Sequence, residues 1–386
     1  MMIEIKGVGF VNKGAELMLM AVLQKVKTKY PDAEFVLTPD EKSCPYQSIA
    51  KVGAYQKLHF ARYGINFLKI AELIPNRFLR RYGLVLESEI DVILDASGLA
   101  YSDNWGAIPA TLTASRIKQW RTAGKKVILL PQAFGPFTSE KIKKAMKTII
   151  ANADLICARD AESYKYLQDL TNSTTIQLFP DFTNLIQNTA LPDHYQYLAD
   201  RVCIITNCRM LDQLPAAEAQ RYVPLMADAL TYLINSQCKP YFLMHEGLHD
   251  ESLAQQIMAK ANSQVEIIRE ADPLTIKSII GASRGVLCSR FHGLVSALSQ
   301  GVPALGTGWS HKYDMLFADY QFSEGLLNLR ENNQELAEKL HFITDPHKNN
   351  RLRQALLEQA SVQKQRSEQM WDAVFHIMDS VQAKLE

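Results

Sequence analysis

Short apolar runs alternate with stretches of helical periodicity along almost the whole chain, and this rhythm narrows the fold more than any other feature. Runs at 3–6, 34–38, 92–95, 126–130 and 155–158 read as strands, and a second set follows at 202–206, 239–244, 265–268, 285–288 and 303–305. Between them the spacing predicts helices at 14–30, 109–122, 140–152, 218–235, 250–261 and 274–281. Such alternation means parallel sheets, because a parallel neighbour needs a crossover and a helix supplies it. The pattern restarts at Val202 after a polar, turn-rich stretch from 188 to 201. A chain of 386 residues is long enough for two domains of ~150 residues each. The expectation is an α/β protein of two doubly wound domains facing a cleft, at 1–190 and 200–345, with a helical tail at 346–386. In that tail Leu352, Leu356, Met370, Val374, Ile377 and Val381 recur at roughly helical spacing.

Composition excludes more than it assigns. A formal net charge of +1 argues against a general nucleic-acid binder, so no nucleic-acid partner is expected and any cationic site must be local. The six cysteines, Cys44, Cys157, Cys203, Cys208, Cys238 and Cys288, form no CxxC pair and read as buried thiols of a reducing compartment. The first residues lack a signal-peptide apolar region, and no run approaches the ~20 apolar residues of a membrane span. A cytoplasmic protein is expected, with room for a peripheral position at the inner face of the membrane. That second option comes from 56–82, where Lys57, Arg62, Lys69, Arg77, Arg80 and Arg81 stand against Glu72 alone, interleaved with Phe60, Tyr63, Phe67, Ile70, Ile74 and Phe78. The stretch is either a helical excursion packed on the first domain or a basic amphipathic surface for anionic membrane.

Four turns of the first half could carry chemistry. The segment Gly7-Val8-Gly9-Phe10-Val11-Asn12-Lys13-Gly14-Ala15-Glu16 follows a strand and opens a helix, whose free N–H groups suit an anion or a hydroxyl-rich ligand. Its spacing is neither GxGxxG nor a P-loop, so it is equally a tight turn. Asp95-Ala96-Ser97-Gly98 runs on to Asp103 and Trp105, which suits a sugar through carboxylates and an aromatic face, or a capped helix entry. The rigid turn 131–137 offers Gln132 as a hydrogen-bonding contact on a cleft wall. Arg159-Asp160 with Ser163 reads as an ion pair or helix cap rather than a catalytic group.

The second half places richer chemistry on the same kind of turn. Strands lead into Asn207-Cys208-Arg209, into His245-Glu246 with His249 and Asp250 nearby, into Ser289-Arg290-Phe291-His292-Gly293, and into 306–312 with His311 and Lys312. All four turns belong at the carboxyl edge of one parallel sheet, where open α/β folds hold ligands. Several cations on one edge repel each other unless an anion lies between them. His245 and His249 are four apart, but Gly247 sits between them and the segment follows a strand, so no metal is expected.

These residues resemble the polysaccharide pyruvyl transferase family, most closely over 289–313 (SRFHGLVSALSQGVPALGTGWSHKY), with support from 12–16, 131–136, Arg159-Asp160 with Ser163, and Pro180-Asp181. The resemblance implies two Rossmann-like domains of GT-B type. It implies transfer of the carboxyethylidene group from phosphoenolpyruvate to two hydroxyls of a sugar in a surface polysaccharide or its precursor, with no cofactor. The family's Arg-Leu-His donor motif falls on Arg290, Phe291 and His292, with phenylalanine in place of leucine. Arg209 matches an upstream donor arginine, and Lys312 adds a point charge. His292 is the expected general acid, His311 the second candidate, and Glu16 a base for the acceptor hydroxyl, with Asp95 or Asp103 as alternatives. Asn12, Asp95, Asp103, Trp105 and Gln132 form the expected acceptor side, for a sugar that is free or lipid-linked. On this reading Arg290→Ala loses turnover while the fold survives. The competing readings are a nucleotide-sugar glycosyltransferase of the same architecture and an idle sugar-binding subunit.

Overall fold

The computed structural model describes residues 1–58, 61–62, 65–66, 74–186 and 190–385. The chain forms two compact units, one of residues 1–11, 18–180 and 368–386, the other of 12–17 and 181–367.

The first unit is built on an eight-stranded sheet. Its strands are β1 (Met2–Lys6), β2 (Glu34–Leu37), β3 (Tyr55–Lys57), β6 (Leu84–Val85), β7 (Val92–Asp95), β8 (Lys126–Gln132), β9 (Leu155–Ala158) and β10 (Ile176–Leu178). Strands β4 (Ala61–Arg62) and β5 (Ile65–Asn66) make a small antiparallel pair apart from it. The order is β10-β9-β8-β7-β1-β2-β3-β6, and the neighbouring strands are parallel, with Ile3 opposite Phe35 on one side and Val92 on the other. Strand β7 is buried at every residue, as a strand covered on both faces must be. The helices are α1 (Lys13–Lys29), α2 (Tyr46–Lys51), α3 (Asn76–Arg81), α4 (Ile108–Thr122), α5 (Glu140–Ile150) and α6 (Ala161–Gln168). Helix α5 shows why they form: Ile142, Ala145, Met146, Ile149 and Ile150 are buried at 3.6-residue periodicity, while exposed lysines take the other face.

The second unit has a five-stranded parallel sheet of β11 (Val202–Ile205), β12 (Tyr241–Met244), β13 (Ile267–Arg269), β14 (Gly285–Cys288) and β15 (Ala304–Gly306), in the order β13-β12-β11-β14-β15. Around it lie α7 (Arg209–Asp212), α8 (Ala216–Asn235), α9 (Gly247–Lys260), α10 (Pro273–Ala282), α11 (Phe291–Leu298), α12 (His311–Asp319) and α13 (Asn333–Thr344). Helix α14 (Pro346–Leu385) runs through 40 residues and ends in the first unit. There the buried Met370, Trp371, Val374, Phe375 and Met378 complete the core, and the Phe375 ring lies 5.7 Å from that of Tyr30. The tail expected as a separate piece is therefore shared, because apolar residues at its far end have a core to enter.

Both sheets reverse direction of growth at one place. In the first the strands run outward from β1 on one side and β7 on the other; in the second, from β11 and β14. The carboxyl ends of these pairs leave a crevice, because the connections depart to opposite faces. Among the described residues no helix is long and apolar enough to cross a membrane.

Candidate functional site

In the second unit the crevice lies after β11 and β14, and the sequence puts Asn207-Cys208-Arg209 and Ser289-Arg290-Phe291-His292 there. Hydrogen bonds tie the two turns together. Asn207 Nδ2 donates to the Ser289 carbonyl at 2.8 Å, and the Ser289 hydroxyl meets those of Tyr222 and Thr307, each at 2.7 Å. The Tyr313 hydroxyl also donates to the Ser289 carbonyl. Main chain at this point cannot shift without breaking several buried bonds at once.

Arg290 precedes the first turn of α11 and is only 5% exposed. Its Nε and Nη2 donate to Asp250 Oδ2 at 3.0 and 2.6 Å, and its Nη1 donates to Glu246 Oε2. Burial opposes charge on the guanidinium, but the two carboxylates outweigh it and hold Arg290 above the usual arginine value. The expected row of uncompensated cations is thus corrected at this residue: Glu246 at the N-cap of α9 and Asp250 in its first turn already balance it. They differ in access, since the Asp250 side chain is 1% exposed and the Glu246 side chain 28%.

His292 is the second residue of α11, with Nε2 3.4 Å from Asp181 Oδ2. Asp181 is fixed by the Thr183 amide at 3.0 Å and hydroxyl at 2.5 Å, and the Thr183 carbonyl accepts from the buried Lys277 at 3.1 Å. The other side of the imidazole meets the start of α1. A Cβ on Gly14 would stand 2.9 Å from His292 Cβ and overlap the ring, so only glycine lets the helix come this close. Asn12 caps that helix, its Oδ1 accepting from the Gly14 amide at 2.9 Å, while its Nδ2 reaches Glu246 at 3.4 Å. Asn12, expected on the acceptor side, is placed among the second unit's residues. Glu16 pairs with Lys13 at 2.7 Å; burial raises its carboxyl pKa, with Lys13 opposing.

Phe291 is buried between the His292 and Tyr313 rings, at 5.5 and 5.9 Å. Lys312 Nζ lies 4.7, 5.3 and 5.4 Å from the Trp309, Tyr313 and Phe291 rings. Three rings thus surround the lysine head group. His311 is the first residue of α12. Arg209 opens α7, is half exposed and pairs with Asp212 at 2.7 Å.

His245, expected on the same sheet edge and weighed there as a metal ligand, directly follows β12. It is 4% exposed, its Nδ1 has no hydrogen-bond partner among the described residues, and its carbonyl accepts from the Lys13 amide at 3.2 Å. Burial first, then the charges of Arg290, His292 and Lys13, push its pKa well below 6.5. The folded protein therefore keeps this imidazole neutral while the unfolded chain protonates near 6.5. The unfolded state binds more protons below that value, so stability falls as pH falls. Urea midpoints taken from about pH 7.5 down to about pH 5 should drop, and His245→Asn should flatten that slope.

In the first unit the crevice after β1 and β7 opens into a cavity of about 370 Å³ lined by Lys6, Gly7, Thr38, Asp95, Ser97 and Arg116 among others. Gly7 has φ 75°, and a Cβ there would collide with the Ser97 backbone, so the two turns close on each other only because it is glycine. Asp95 is buried and accepts from the Tyr101 hydroxyl at 2.5 Å and from Ser97. Asp103 does not line this cavity; its carboxylate holds the Thr138 and Ser139 amides at 2.6 and 3.3 Å. Trp105 is 43% exposed, and Gln132 is fully buried with Nε2 3.5 Å from the Asp95 carbonyl. Asp160 caps α6 through the Ser163 amide at 2.7 Å, as the sequence suggested. Lys57 departs from expectation: instead of joining a basic surface it is buried between Glu4 at 2.8 Å and Glu87 at 3.0 Å. Phe60, Tyr63, Phe67, Lys69, Ile70 and Glu72 of that stretch lie outside the described residues, and of Arg62 only the backbone is described.

The sequence reading missed Glu246, Asp250 and Asp181 as partners of the motif. The signal for two of them was present, because Glu246 and Asp250 follow β12 just as Arg290 follows β14.

Comparison of folds shows what this arrangement is similar to. The UDP-GlcNAc 2-epimerase of Neisseria meningitidis bound to UDP-GlcNAc matches at TM-score 0.61 and 11% identity, over 97% of this chain and 99% of that one. Anabaena Alr3699/HepE in complex with UDP and glucose matches at 0.56 and 14%, over 98% and 99%. Phytolacca americana UGT2, complexed with UDP-2fluoro-glucose and pterostilbene, matches at 0.55 and 11%, over 99% of each chain. At such identities the likeness is one of fold, the GT-B-like pairing of two Rossmann-like units. No curated relative matches by sequence. The sequence model of polysaccharide pyruvyl transferases matches residues 12–311, a span that includes Arg290, His292 and the turn of Asp181. The chain belongs to the polysaccharide pyruvyl transferase family.

Proposed function

We propose that the chain transfers the carboxyethylidene group of phosphoenolpyruvate to two hydroxyls of a sugar in a surface polysaccharide or its precursor, using no cofactor. The observation that carries this reading is the Arg290–His292 turn at the second unit's switch point, inside the span that defines the family. Phosphoenolpyruvate has a carboxylate and a phosphate, and a guanidinium fork suits either. Asp250 holds two nitrogens of Arg290 and so fixes the plane of the fork. Glu246 covers the third, more accessible nitrogen. A donor anion takes that place by displacing Glu246 toward solvent. Lys312 and Arg209 complete the positive surroundings, and Phe291 sets the apolar wall.

The reaction adds a proton to the methylene carbon of the donor and leaves an oxocarbenium-like centre at carbon two. One sugar hydroxyl attacks there, phosphate departs with its oxygen, and a second hydroxyl closes the ketal. His292 supplies the proton, oriented by Asp181, with His311 as the second candidate. Glu16, whose carboxyl is pushed up by burial, takes the hydroxyl proton. The sugar, free or lipid-linked, is assigned to the first unit's cavity beside Asp95, whose carbonyl lies 3.5 Å from Gln132 Nε2, with Trp105 retained as the aromatic candidate; Asp103 braces the 138–139 main chain instead.

Incubation with phosphoenolpyruvate and a panel of saccharides should release phosphate and yield a ketal-bearing sugar. Inhibition by uridine diphosphate but not by phosphoenolpyruvate would favour the glycosyltransferase instead. Glu246→Gln provides a sharper check. Removing one negative charge beside the donor site should lower KM for phosphoenolpyruvate roughly tenfold, about 1.4 kcal/mol, with kcat little changed. A KM that rises would show that Glu246 helps to bind the donor.

A further inference from the structure

We propose that the first unit docks on an anionic lipid surface through helix α3 and the residues that flank it. Ile74, Phe78 and Tyr82 are 42%, 42% and 72% exposed. Phe78 and the C-cap Tyr82, four apart, make a short ridge at the carboxyl end of the helix, and Ile74 stands just before its N-cap Pro75. A ridge of this kind normally enters a core, but here it points to solvent. The opposite side explains why. Leu79 is buried, and Arg80 reaches back to Glu34 at 3.1 Å and Glu89 at 3.0 Å, so the helix is rooted by those two residues.

Arg77 and Arg81, also four apart, flank the ridge and are exposed. Their guanidinium carbons lie 5.1 and 5.7 Å from the Phe78 ring, and neither has an acidic partner among the described residues. Tyr46, 51% exposed, stands beside Gly83 and widens the apolar area. Unneutralised arginines next to exposed aromatic and aliphatic side chains match the boundary of an anionic bilayer. Guanidinium groups meet phosphates there, and the rings settle at headgroup depth. The charge complementarity selects anionic lipid as the occupant over a neutral surface. This inference stands apart from the pyruvyl-transfer reading and does not fall with it.

The test uses the full chain with vesicles of phosphatidylcholine, alone and mixed with phosphatidylglycerol, in a flotation assay. The protein should float with the mixed vesicles and stay behind with the neutral ones. Arg77→Glu/Arg81→Glu should weaken partitioning by at least tenfold, given roughly fivefold per basic residue at such a surface. Phe78→Ala should weaken it several-fold. The matched charge reversal Lys144→Glu/Lys147→Glu, on exposed lysines of α5, should leave it within about twofold. Circular dichroism confirms that each variant is folded. No flotation with anionic vesicles overturns the proposal. Equal loss from the α5 reversal, or binding only to an acidic protein, overturns it as well.

Discussion

Arg290→Ala should remove ketal formation and about 3–5 kcal/mol of stability together, because it strips a buried arginine from Asp250 and Glu246. That differs from the expectation drawn from the motif alone, in which the fold survives. A carboxylate 1% exposed that has lost its cation must either take a proton or pull the first turn of α9 outward. Arg290→Lys keeps the charge but cannot place three nitrogens, so it should recover only part of the stability. A paired variant separates the two roles. In Arg290→Met/Asp250→Asn the buried charges disappear together, and the denaturant midpoint should return most of the way to wild type. Turnover should stay absent. If the paired variant makes product, the guanidinium has no part in catalysis and the donor assignment fails.

Gly14→Ala is the second large effect. Alanine in a helix is ordinarily favoured over glycine by about 0.8–1.0 kcal/mol, so an isolated helix α1 would gain from the change. Here the added methyl overlaps the His292 imidazole, whose other side is held near Asp181. The ring has to rotate or the helix has to withdraw. If His292 is the proton donor proposed above, a displacement of about 1 Å costs on the order of 100-fold in rate. We expect kcat to fall by that order, with a stability loss of about 1–3 kcal/mol typical of overpacking. Substrate KM should change much less. Near-normal turnover by Gly14→Ala would show that the imidazole position is not critical, and would move the general acid to His311.

How much was legible without coordinates follows from the physics of each feature. The strands β1, β7, β8, β9, β11 and β14 were readable because both of their faces are buried and their sequences are continuous apolar runs. Strands β3, β6 and β10 were not, since two or three residues at a sheet margin leave no pattern. The SRFHG turn was legible through its residue types. Its acidic partners were not singled out, because Glu246 and Asp250 lie 44 and 40 positions from Arg290 and only the order of strands brings them near. Lys57 was misread for the same reason: a lysine in a basic stretch looks like surface until β1 places Glu4 beside it. Gly14 was read as part of a ligand loop or a tight turn, whereas its place is against the His292 ring, where no Cβ fits.

Helix α14 leaves the first unit unfinished until late. Residues 18–180 emerge from the ribosome early, yet Trp371 and Phe375, which fill their core, are made after the entire second unit. Folding of the amino-terminal half in advance of the rest, the usual course during synthesis, therefore yields a body with an open apolar seam. The protein must carry that seam through translation, and a stop at residue 367 would make the exposure permanent.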